Sequence, residues 1–219
     1  MKIRMFELGA VGTNCYLVWE EESRDAMLID PGAYDREIDR MIDENGLALK
    51  YIALTHGHGD HICGVDEFKA GHPGAILAAG EKESWLLQEP VENLSEVVGG
   101  KTVRLTPDLL LSEGDEIDLG YLSLKVIETP GHTLGGICFY IKECDQDLFG
   151  QDYSGTVFSG DTLFNASIGR TDLGGGDFNV LKASIKEKLY TLPDDTIVLP
   201  GHMEATTIGH EKLYNMFVK

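Results

Sequence analysis

The residues with the clearest capacity for chemistry lie in one short segment, Thr-His-Gly-His-Gly-Asp-His at positions 55–61. The segment contains three imidazoles and one carboxylate, separated by two glycines. Imidazole and carboxylate groups together bind zinc and other first-row divalent ions. Such an ion lowers the pKa of a bound water molecule from about 16 to about 7, so hydroxide becomes available at neutral pH. The segment therefore predicts part of a metal site that activates water.

Further residues of the same types follow predicted strands elsewhere in the chain. His132, Asp161 and His202 each come directly after a glycine, and with His56 they lie one to five residues past an apolar run. Because strand ends at one sheet edge are close together and rigidly held, we expect these side chains to converge. Two ions could share a bridging carboxylate and polarise a carbonyl. A thioester, lactone or amide could then be attacked without a side-chain nucleophile.

Each of these residues also has an ordinary interpretation. Asp60 alone would be the N-cap of a following helix, and Asp161 alone would be an Asx turn. His132 could be a turn residue, and His202 alone is uninformative. The combined pattern favours a metal site, because turn chemistry rarely places so many such residues at strand ends. Two further histidines fall outside the pattern and are predicted to lie on the surface: His72 and His210.

Composition and charge restrict the possible partners and location. The 219 residues are 42% hydrophobic, which suffices for a folded core, and the net charge is −19. So acidic a chain is predicted to bind neither nucleic acid nor an anionic membrane, and its partner is expected to be a small molecule. No signal peptide or membrane span is evident in the sequence. We therefore predict one domain over residues 1–219 and a cytoplasmic location.

The cysteines agree with a cytoplasmic protein. They form no Cys-x-x-Cys pair and no disulfide pattern, so they are predicted to be reduced and mostly buried. Cys63 follows the metal motif and is interpreted as a small buried residue. The four cysteines are Cys15, Cys63, Cys138 and Cys144.

Hydrophobic periodicity predicts a mixed α+β protein. The predicted strands are Lys2–Leu8, Asn14–Trp19, Ala26–Ile29, Tyr51–Leu54, Ala75–Ala78, Glu116–Leu119, Leu122–Ile127, Ile137–Ile141, Thr156–Phe158 and Thr196–Leu199. The predicted helices are Tyr34–Glu44, a helix from Asp60 or His61 to about Lys69, Glu81–Gln88, Asn179–Leu189 and 206–218. Pro90 to Pro107 is predicted to be irregular surface. The order indicates two αβ halves packed sheet on sheet, with helices outside.

The motifs resemble one known family. Thr55–His61 is similar to the H-x-H-x-D-H signature of the metallo-β-lactamase-fold superfamily. Its later motifs also have counterparts here in the same order: Pro130–Thr133, Ser159–Phe164, Gly169–Asp172 and Pro200–His202. The chain most resembles short glyoxalase II-like hydrolases, and Glu204–Gly209 is similar to their C-terminal T-T-I-G segment.

The resemblance implies a four-layered αββα sandwich with a dinuclear metal site. It implies that His56, His58 and His132 hold one ion. It further implies that Asp60, His61 and His202 hold the other and that Asp161 bridges them. Zinc is expected, with iron or manganese as alternatives. Asp60 would also orient the metal-bound hydroxide, whereas Arg170 and Asp172 are interpreted as a structural ion pair.

The implied activity is hydrolysis of S-acyl-glutathione-type thioesters. Full-length glyoxalase II enzymes carry a C-terminal helical extension that binds glutathione, and this chain is predicted to have none. The alternatives are an iron-dependent persulfide dioxygenase, using His56, His132 and Asp161, and a lactonase. The sequence identifies no substrate-binding residue, but the segments Pro90–Pro107 and Gly169–Gly176 are candidates for pocket walls.

Overall fold

The computed structural model describes residues 1–145, 150 and 153–219. A first sheet contains six strands that follow one another in space as they do in the chain. They are β1 (Lys2–Leu8), β2 (Thr13–Trp19), β3 (Asp25–Ile29), β4 (Ala48–Ala53), β5 (Ile76–Gly80) and β6 (Leu109–Leu111). The first two pairs are antiparallel, and β3 to β6 run parallel to one another.

A second six-stranded sheet is built from the later part of the chain. The later strands are β7 (Glu116–Leu119), β8 (Leu122–Glu128), β9 (Ile137–Ile141), β10 (Thr156–Gly160), β11 (Leu163–Phe164), β12 (Ser167–Ile168), β13 (Ile197–Pro200) and β14 (Thr206–Thr207). The order in the sheet is β14-β13-β10-β9-β8-β7, while β11 and β12 pair only with each other. Strands β8, β10 and β13 run in the same direction. Their carboxyl ends therefore lie at one edge of the sheet.

Three of the seven helices named here begin at a side-chain cap. The seven are α1 (Arg36–Glu44), α2 (Gly59–Ile62), α3 (Val65–Gly71), α4 (Ser84–Gln88), α5 (Ser95–Gly99), α6 (Phe178–Glu187) and α7 (Ile208–Tyr214). The Asp35 carboxylate accepts from the backbone of α1, Asp177 caps α6, and Thr207 caps α7. Each cap pairs N–H groups of the first helical turn, which have no partner within the helix.

Three buried clusters show how the layers pack. One lies between the sheets, where Val18 and Met27 of the first sheet meet Phe139 and Phe158 of the second. The second cluster joins the outer face of the first sheet to α1, α2 and α3, and the third joins the outer face of the second sheet to α6 and α7. Three interfaces separate four layers, which confirms the predicted αββα sandwich. Every residue of β2 is buried because both faces of the first sheet are covered.

Some predicted elements are wrong. The helix predicted from Asp60 or His61 to Lys69 is two helices, α2 and α3, separated at Cys63 and Gly64. A Cβ at Gly64 would lie 2.6 Å from the backbone of Ala33, so this junction is pressed against the loop after β3. Tertiary contact at this point overrides the continuous helical periodicity.

The segment from Pro90 to Pro107 was predicted as irregular surface, and that prediction is only partly correct. It contains α5, and its side chains at Asn93, Ser95 and Val103 are buried. Asn93 and Ser95 both bind the backbone of Val103. Asn93 Nδ2 donates to the Val103 carbonyl, and the Val103 N–H donates to Ser95 Oγ. Short polar side chains thus organise a segment that lacks hydrophobic periodicity.

The terminal helix is shorter than predicted, because 206–207 form β14 and the helix ends at Tyr214. Short strands β6, β11 and β12 were not predicted. Each contains only two or three residues, which is too few to show a period.

Candidate metal centre

Three histidine nitrogens converge beyond the end of β4. His132 Nε2 lies 2.9 Å from His58 Nδ1 and 3.2 Å from His56 Nε2. All three side chains are buried. A ligand atom from each lies within 4.8 Å of the other two, so one ion could contact all three.

A second group combines one carboxylate with two imidazoles. His202 Nε2 lies 3.1 Å from Asp60 Oδ2, and His61 Nε2 lies 3.6 Å from the same oxygen. Asp161 lies between the two groups. Its Oδ1 is 3.3 Å from His61 Nε2, and its Oδ2 is 3.6 Å from His132 Nε2. One carboxylate therefore faces both groups.

The groups form where the edges of the two sheets meet. His56 follows β4 of the first sheet, while the segments after β8, β10 and β13 of the second sheet supply three more of the side chains. Backbone hydrogen bonds join the sheets here, since Ile137 N donates to Thr55 O at 2.8 Å and Asn14 N donates to Gly201 O at 2.7 Å. The contributing loops are thus fixed relative to one another by main-chain bonds.

Two imidazoles have a fixed partner on the ring nitrogen that faces away from the site. His132 Nδ1 lies 2.7 Å from Arg170 O, and His61 Nδ1 lies 3.0 Å from Asp30 Oδ2. A nitrogen that donates outward orients the ring and leaves the other nitrogen for a metal. Asp30 also accepts from both the N–H and the hydroxyl of Thr55, at 2.8 and 2.6 Å. Although an Asp30 oxygen lies within 4.8 Å of nitrogens of His56 and His61, its hydrogen bonds give it an orienting role.

Two glycines allow the surrounding segments to approach the donors. A Cβ at Gly201 would lie 2.5 Å from Asp161 Oδ1 and 2.6 Å from His61 Cε1. A Cβ at Gly169 would lie 1.8 Å from the Asp161 carbonyl oxygen. All three distances are far below van der Waals contact, so any side chain at these positions would displace Asp161.

The electrostatics differ between the two groups. Burial lowers the pKa of His56 and His58, nearby imidazoles lower it further, and that of His58 falls to about 3. Burial also opposes protonation of His61, but Asp60 and Asp161 outweigh it and raise the pKa of His61 well above its usual value. Burial disfavours charge on the two aspartates, yet His61 outweighs it and lowers the pKa of each carboxyl. His56 and His58 are therefore neutral at pH 7, whereas His61 holds a proton that a cation would displace.

Unpaired buried atoms indicate that the site fits metal ions. Among the described residues, His61 Nε2 and Asp161 Oδ1 are buried and have no hydrogen-bond partner. Leaving such an atom unpaired costs about 1 to 3 kcal/mol, and a divalent ion would satisfy both. Nitrogen and carboxylate donors in two groups around a shared carboxylate suit two first-row divalent ions.

The second group is the more accessible one. In this group the side chains of Asp60 and His202 are 18% and 23% exposed, although that of His61 is buried. A cavity of about 430 Å³ adjoins Asp60, and its walls include Tyr34 and Val98.

The structure brings together every side chain that the sequence predicted for the site: His56, His58, Asp60, His61, His132, Asp161 and His202. His72 and His210 lie elsewhere. His72 is half-buried and its Nε2 lies 3.0 Å from Asp39 Oδ1, whereas His210 is exposed and stacks on Tyr214. The prediction of a surface position is therefore confirmed for His210 and only partly correct for His72.

The predicted structural residues near the site are also confirmed. Arg170 and Asp172 form an exposed two-point ion pair at 2.7 and 2.9 Å. Arg170 reaches the site through its backbone carbonyl rather than its side chain. Cys63 is buried, with 4% exposure.

Two residues beside the site were not predicted. Asp30 follows β3 directly, as the predicted ligands follow other strands, but its Asp-Pro-Gly context indicated only a turn. Asn14 Nδ2 donates to Pro200 O at 3.0 Å and to Met203 O at 2.8 Å, which supports the loop of His202. The position of Asp30 directly after a strand is the signal that could have identified it, whereas nothing in the local sequence identifies Asn14.

Comparison with known proteins assigns the family. Residues 8–202 match the family model of the metallo-beta-lactamase superfamily. The chain belongs to this superfamily, and it is a metallo-hydrolase of this fold. The clustered His and Asp side chains are its candidate site for divalent ions. Among the described residues, no helix is long and apolar enough to cross a membrane.

Curated relatives match over the whole chain. A probable metallo-hydrolase of Bacillus subtilis, YqgX, is 36% identical over 219 residues, covering 100% of this chain and 98% of that protein. The hydroxyacylglutathione hydrolase GloC of Haemophilus influenzae is 34% identical over 219 residues, with the same coverage.

Solved structures show the same fold. BLEG-1, a B3 metallo-beta-lactamase, matches with a TM-score of 0.86 and 34% identity over 100% of both chains. ETHE1 of Myxococcus xanthus matches with a TM-score of 0.77 and 27% identity, covering 99% of this chain and 84% of that one. TTHA1623 in a di-iron-bound form matches with a TM-score of 0.78 and 31% identity, covering 98% and 99%.

Proposed function

We propose that the protein is a dinuclear metal-dependent thioesterase that cleaves S-acyl-glutathione-type substrates. The observation that carries the proposal is the pair of donor groups that face one shared carboxylate, Asp161. The similarity to GloC, a hydroxyacylglutathione hydrolase, supports the substrate class. A small-molecule substrate also suits a chain with a net charge of −19, which disfavours nucleic acid and anionic membranes.

The proposed ligands divide between two ions. His56, His58 and His132 hold the first, Asp60, His61 and His202 hold the second, and Asp161 bridges them. Zinc is the proposed metal, and the di-iron form of TTHA1623 makes iron the main alternative. When bound, the ions would acidify a water molecule and polarise the thioester carbonyl.

Asp60 has a second proposed role, in orienting the attacking water. Asp60 borders the cavity, and its side chain is 18% exposed, so its carboxylate is accessible to a hydrogen-bond donor. Its Oδ2 is fixed by His202 Nε2 at 3.1 Å and by the Thr13 hydroxyl at 3.3 Å. A carboxylate fixed in this way would accept a hydrogen bond from the attacking water and hold its oxygen toward the carbonyl of a bound substrate.

The cavity beside Asp60 is the proposed position of the substrate. Val11 and Val98 supply apolar wall, and the Tyr34 ring lies beside them. Residues 98, 99 and 101 belong to the segment predicted as a pocket wall, and they line this cavity, which supports the proposal. Gly169 and the carbonyl of Arg170 contact the metal centre instead.

Thiol release from S-lactoylglutathione and related thioesters tests this function. Metal-replete protein is expected to release thiol, and His58→Ala is expected to lower the rate at least about a hundredfold, because a ligand of the first ion is lost. Because the chain is similar to BLEG-1, a metallo-beta-lactamase, a β-lactam should be tested alongside the thioesters. No thiol release from any thioester, with no effect of His58→Ala, would contradict the proposal.

A second candidate is an iron-dependent persulfide dioxygenase. The similarity to ETHE1 favours it, together with the closeness of His56, His132 and Asp161, which could form a site of two histidines and one carboxylate. Oxygen uptake with glutathione persulfide and one iron per chain would support this candidate. Two zinc ions per chain and no oxygen uptake would exclude it.

A cytoplasmic location is also proposed. Cys15, Cys63 and Cys138 are buried, unpaired thiols, as expected for a protein kept in a reducing compartment. Cell fractionation with an antibody to the protein tests the location, and recovery outside the cytoplasm would contradict it.

A further inference from the structure

A buried carboxylate lies beneath the first group of histidines. Glu83 ends the 3-10 turn between β5 and α4, and it is only 1% exposed. Its Oε1 accepts from the Gly57 N–H at 2.9 Å. Its Oε2 accepts from the Gly135 N–H at 2.8 Å and from the Thr133 hydroxyl at 3.1 Å. One carboxylate thus binds two loops that are far apart in the chain.

Those two loops carry the three histidines of the first group. Gly57 lies between His56 and His58, and Thr133 directly follows His132. The backbone and hydroxyl donors of both loops point at Glu83, while the imidazoles converge on the other side, with His132 Nε2 2.9 Å from His58 Nδ1. The position of Glu83 therefore determines how far apart the loops are.

The backbone of both loops also packs closely against the segment that carries Glu83. A Cβ at Gly135 would lie 2.2 Å from Glu83 N, and one at Gly80 would lie 2.3 Å from Gly135 O. A Cβ at Gly57 would lie 3.2 Å from a methyl carbon of Leu87. Both loops thus rest on the segment from Gly80 to Leu87, and Glu83 is the side chain in that segment that bonds to both.

A charged group at this position is costly. Burial raises the pKa of Glu83, because the three donated hydrogen bonds only partly replace water. Glutamine has nearly the same shape, but its amide nitrogen donates and cannot accept. In either orientation, glutamine would turn that nitrogen toward the N–H of Gly57 or of Gly135. Only a carboxylate accepts from both loops at once.

We propose that Glu83 is a positioning residue that sets the spacing of His56, His58 and His132 for the first metal ion. This inference rests on the proposed metal centre. The proposed ligands of the second ion are not directly bonded to Glu83, since Asp60 and His61 lie on α2 and His202 follows β13. Loss of Glu83 should therefore weaken the first ion and leave the second in place.

Metal stoichiometry and chelator competition with Glu83→Gln test the proposal. At a chelator concentration that leaves two ions on the wild-type protein, the variant is expected to keep one. Its first ion should dissociate at a chelator concentration lower by about tenfold or more, the usual effect of losing an outer support of a metal ligand. Cobalt-loaded His58→Ala and His202→Ala supply reference spectra for proteins that lack the first or the second ion. The spectrum of Glu83→Gln should match that of His58→Ala.

The matched control is Glu211→Gln. Glu211 is another fully buried carboxylate that binds loops, since it accepts from Ala166 N–H at 3.0 Å, from Thr206 Oγ1 at 2.7 Å and from Asn215 Nδ2 at 2.9 Å. None of these partners is adjacent to a proposed ligand. Glu211→Gln should be destabilised yet keep both ions, which separates loss of stability from loss of position.

A milder variant covers the case in which Glu83→Gln does not fold. Thr133→Val removes one of the three donors and should weaken the first ion in the same direction by a smaller factor. If folded Glu83→Gln or Thr133→Val keeps two ions with wild-type affinity, the role of Glu83 is overturned but the proposed function is not. Equal loss of ions in Glu211→Gln would have the same consequence. A wild-type protein that binds no divalent ion would overturn both this inference and the proposed function.

Discussion

At the scale of single residues, two imidazoles of the site are oriented by what their second nitrogen contacts. His132 has a backbone carbonyl at 2.7 Å and His61 has a carboxylate at 3.0 Å, so both rings are held toward the centre. His210 has no such arrangement, and it stacks on Tyr214 at the surface. A carboxylate partner alone does not mark a site histidine, because His72 Nε2 lies 3.0 Å from Asp39 Oδ1 outside the site. His61 and His132 differ from His72 because their other ring nitrogen faces further donor side chains.

Gly201→Ala tests how closely the donors are packed. The new Cβ would lie within 2.6 Å of both Asp161 Oδ1 and His61 Cε1, so the bridging carboxylate must move. We expect loss of at least one ion and of most activity, measured by elemental analysis and thiol release. Gly74→Ala is the control, because a Cβ there meets nothing within 4 Å. Full metal content in Gly201→Ala would contradict the described packing.

Two cysteines should react slowly in the native protein. Burial raises the pKa of Cys63 and of Cys138 to about 11. Below that pH both are thiols, so at pH 8 the reactive thiolate is more than about a hundredfold scarcer than for an ordinary cysteine. Alkylation followed by mass spectrometry should show slow modification that accelerates toward pH 11. Modification at pH 8 as fast as in the denatured protein would refute this.

The sequence predicts the candidate site better than it predicts its supports. The seven proposed ligands are recognisable because chemistry restricts them to a few residue types at strand ends. Glu83 and Asn14 are not recognisable, because each acts on backbone groups of distant segments. Their importance depends on tertiary contacts that no local pattern records.

At the scale of elements, the site depends on contact between the edges of the two sheets. Asn14 and Tyr16 on β2 both donate to Pro200 O, at 3.0 and 2.7 Å, across from the first sheet to the end of β13. Met203, in the same loop, has a φ of +69°, which a non-glycine residue adopts only when its surroundings hold it. Strand β2 therefore fixes the loop that carries His202.

Asn14→Ala tests this support. Removal of the amide leaves the Met203 carbonyl without its donor, whereas Pro200 O keeps the Tyr16 hydroxyl. The unpaired carbonyl should cost about 1 to 3 kcal/mol of unfolding free energy. The loop of His202 should loosen, and the second ion should bind about tenfold more weakly. Denaturant unfolding and chelator competition measure the two effects. Asn45→Ala is the control, because Asn45 Nδ2 donates to Met41 O in an exposed position. Equal effects of the two substitutions would contradict the role of Asn14.

Element predictions succeeded where the hydrophobic period is long and failed where contacts intervene. Strand β1 was predicted with its observed bounds, Lys2–Leu8, and β9 likewise. The break between α2 and α3 was missed because Gly64 must fit against the loop after β3. Helix α5 was missed because its segment is organised by Asn93 and Ser95 rather than by apolar spacing.

At the scale of the whole molecule, the proposed metal centre would couple the two sheets. Its donors come from both sheets, so bound ions would join the halves of the sandwich in addition to the apolar core between them. Binding to the folded state alone raises stability by mass action. That residues 1–219 form one domain stays a prediction, and this coupling agrees with it.

Chelation should therefore lower the melting temperature. An ion present at a hundred times its dissociation constant stabilises a protein by about 2.7 kcal/mol. In a chain of this size that corresponds to roughly 5 to 10 °C in Tm. Thermal unfolding with and without chelator measures the shift, and added zinc should restore the original value. An unchanged Tm on removal of confirmed bound metal would show that the ions do not couple the sheets.

Elemental analysis of natively purified protein tests the central claim most directly. The claim is that the seven clustered side chains hold two divalent ions that share Asp161. The expected result is two ions per chain, most of them zinc, falling to one in His58→Ala and in His202→Ala. One iron per chain would instead indicate the dioxygenase, and no bound divalent ion would contradict the dinuclear centre.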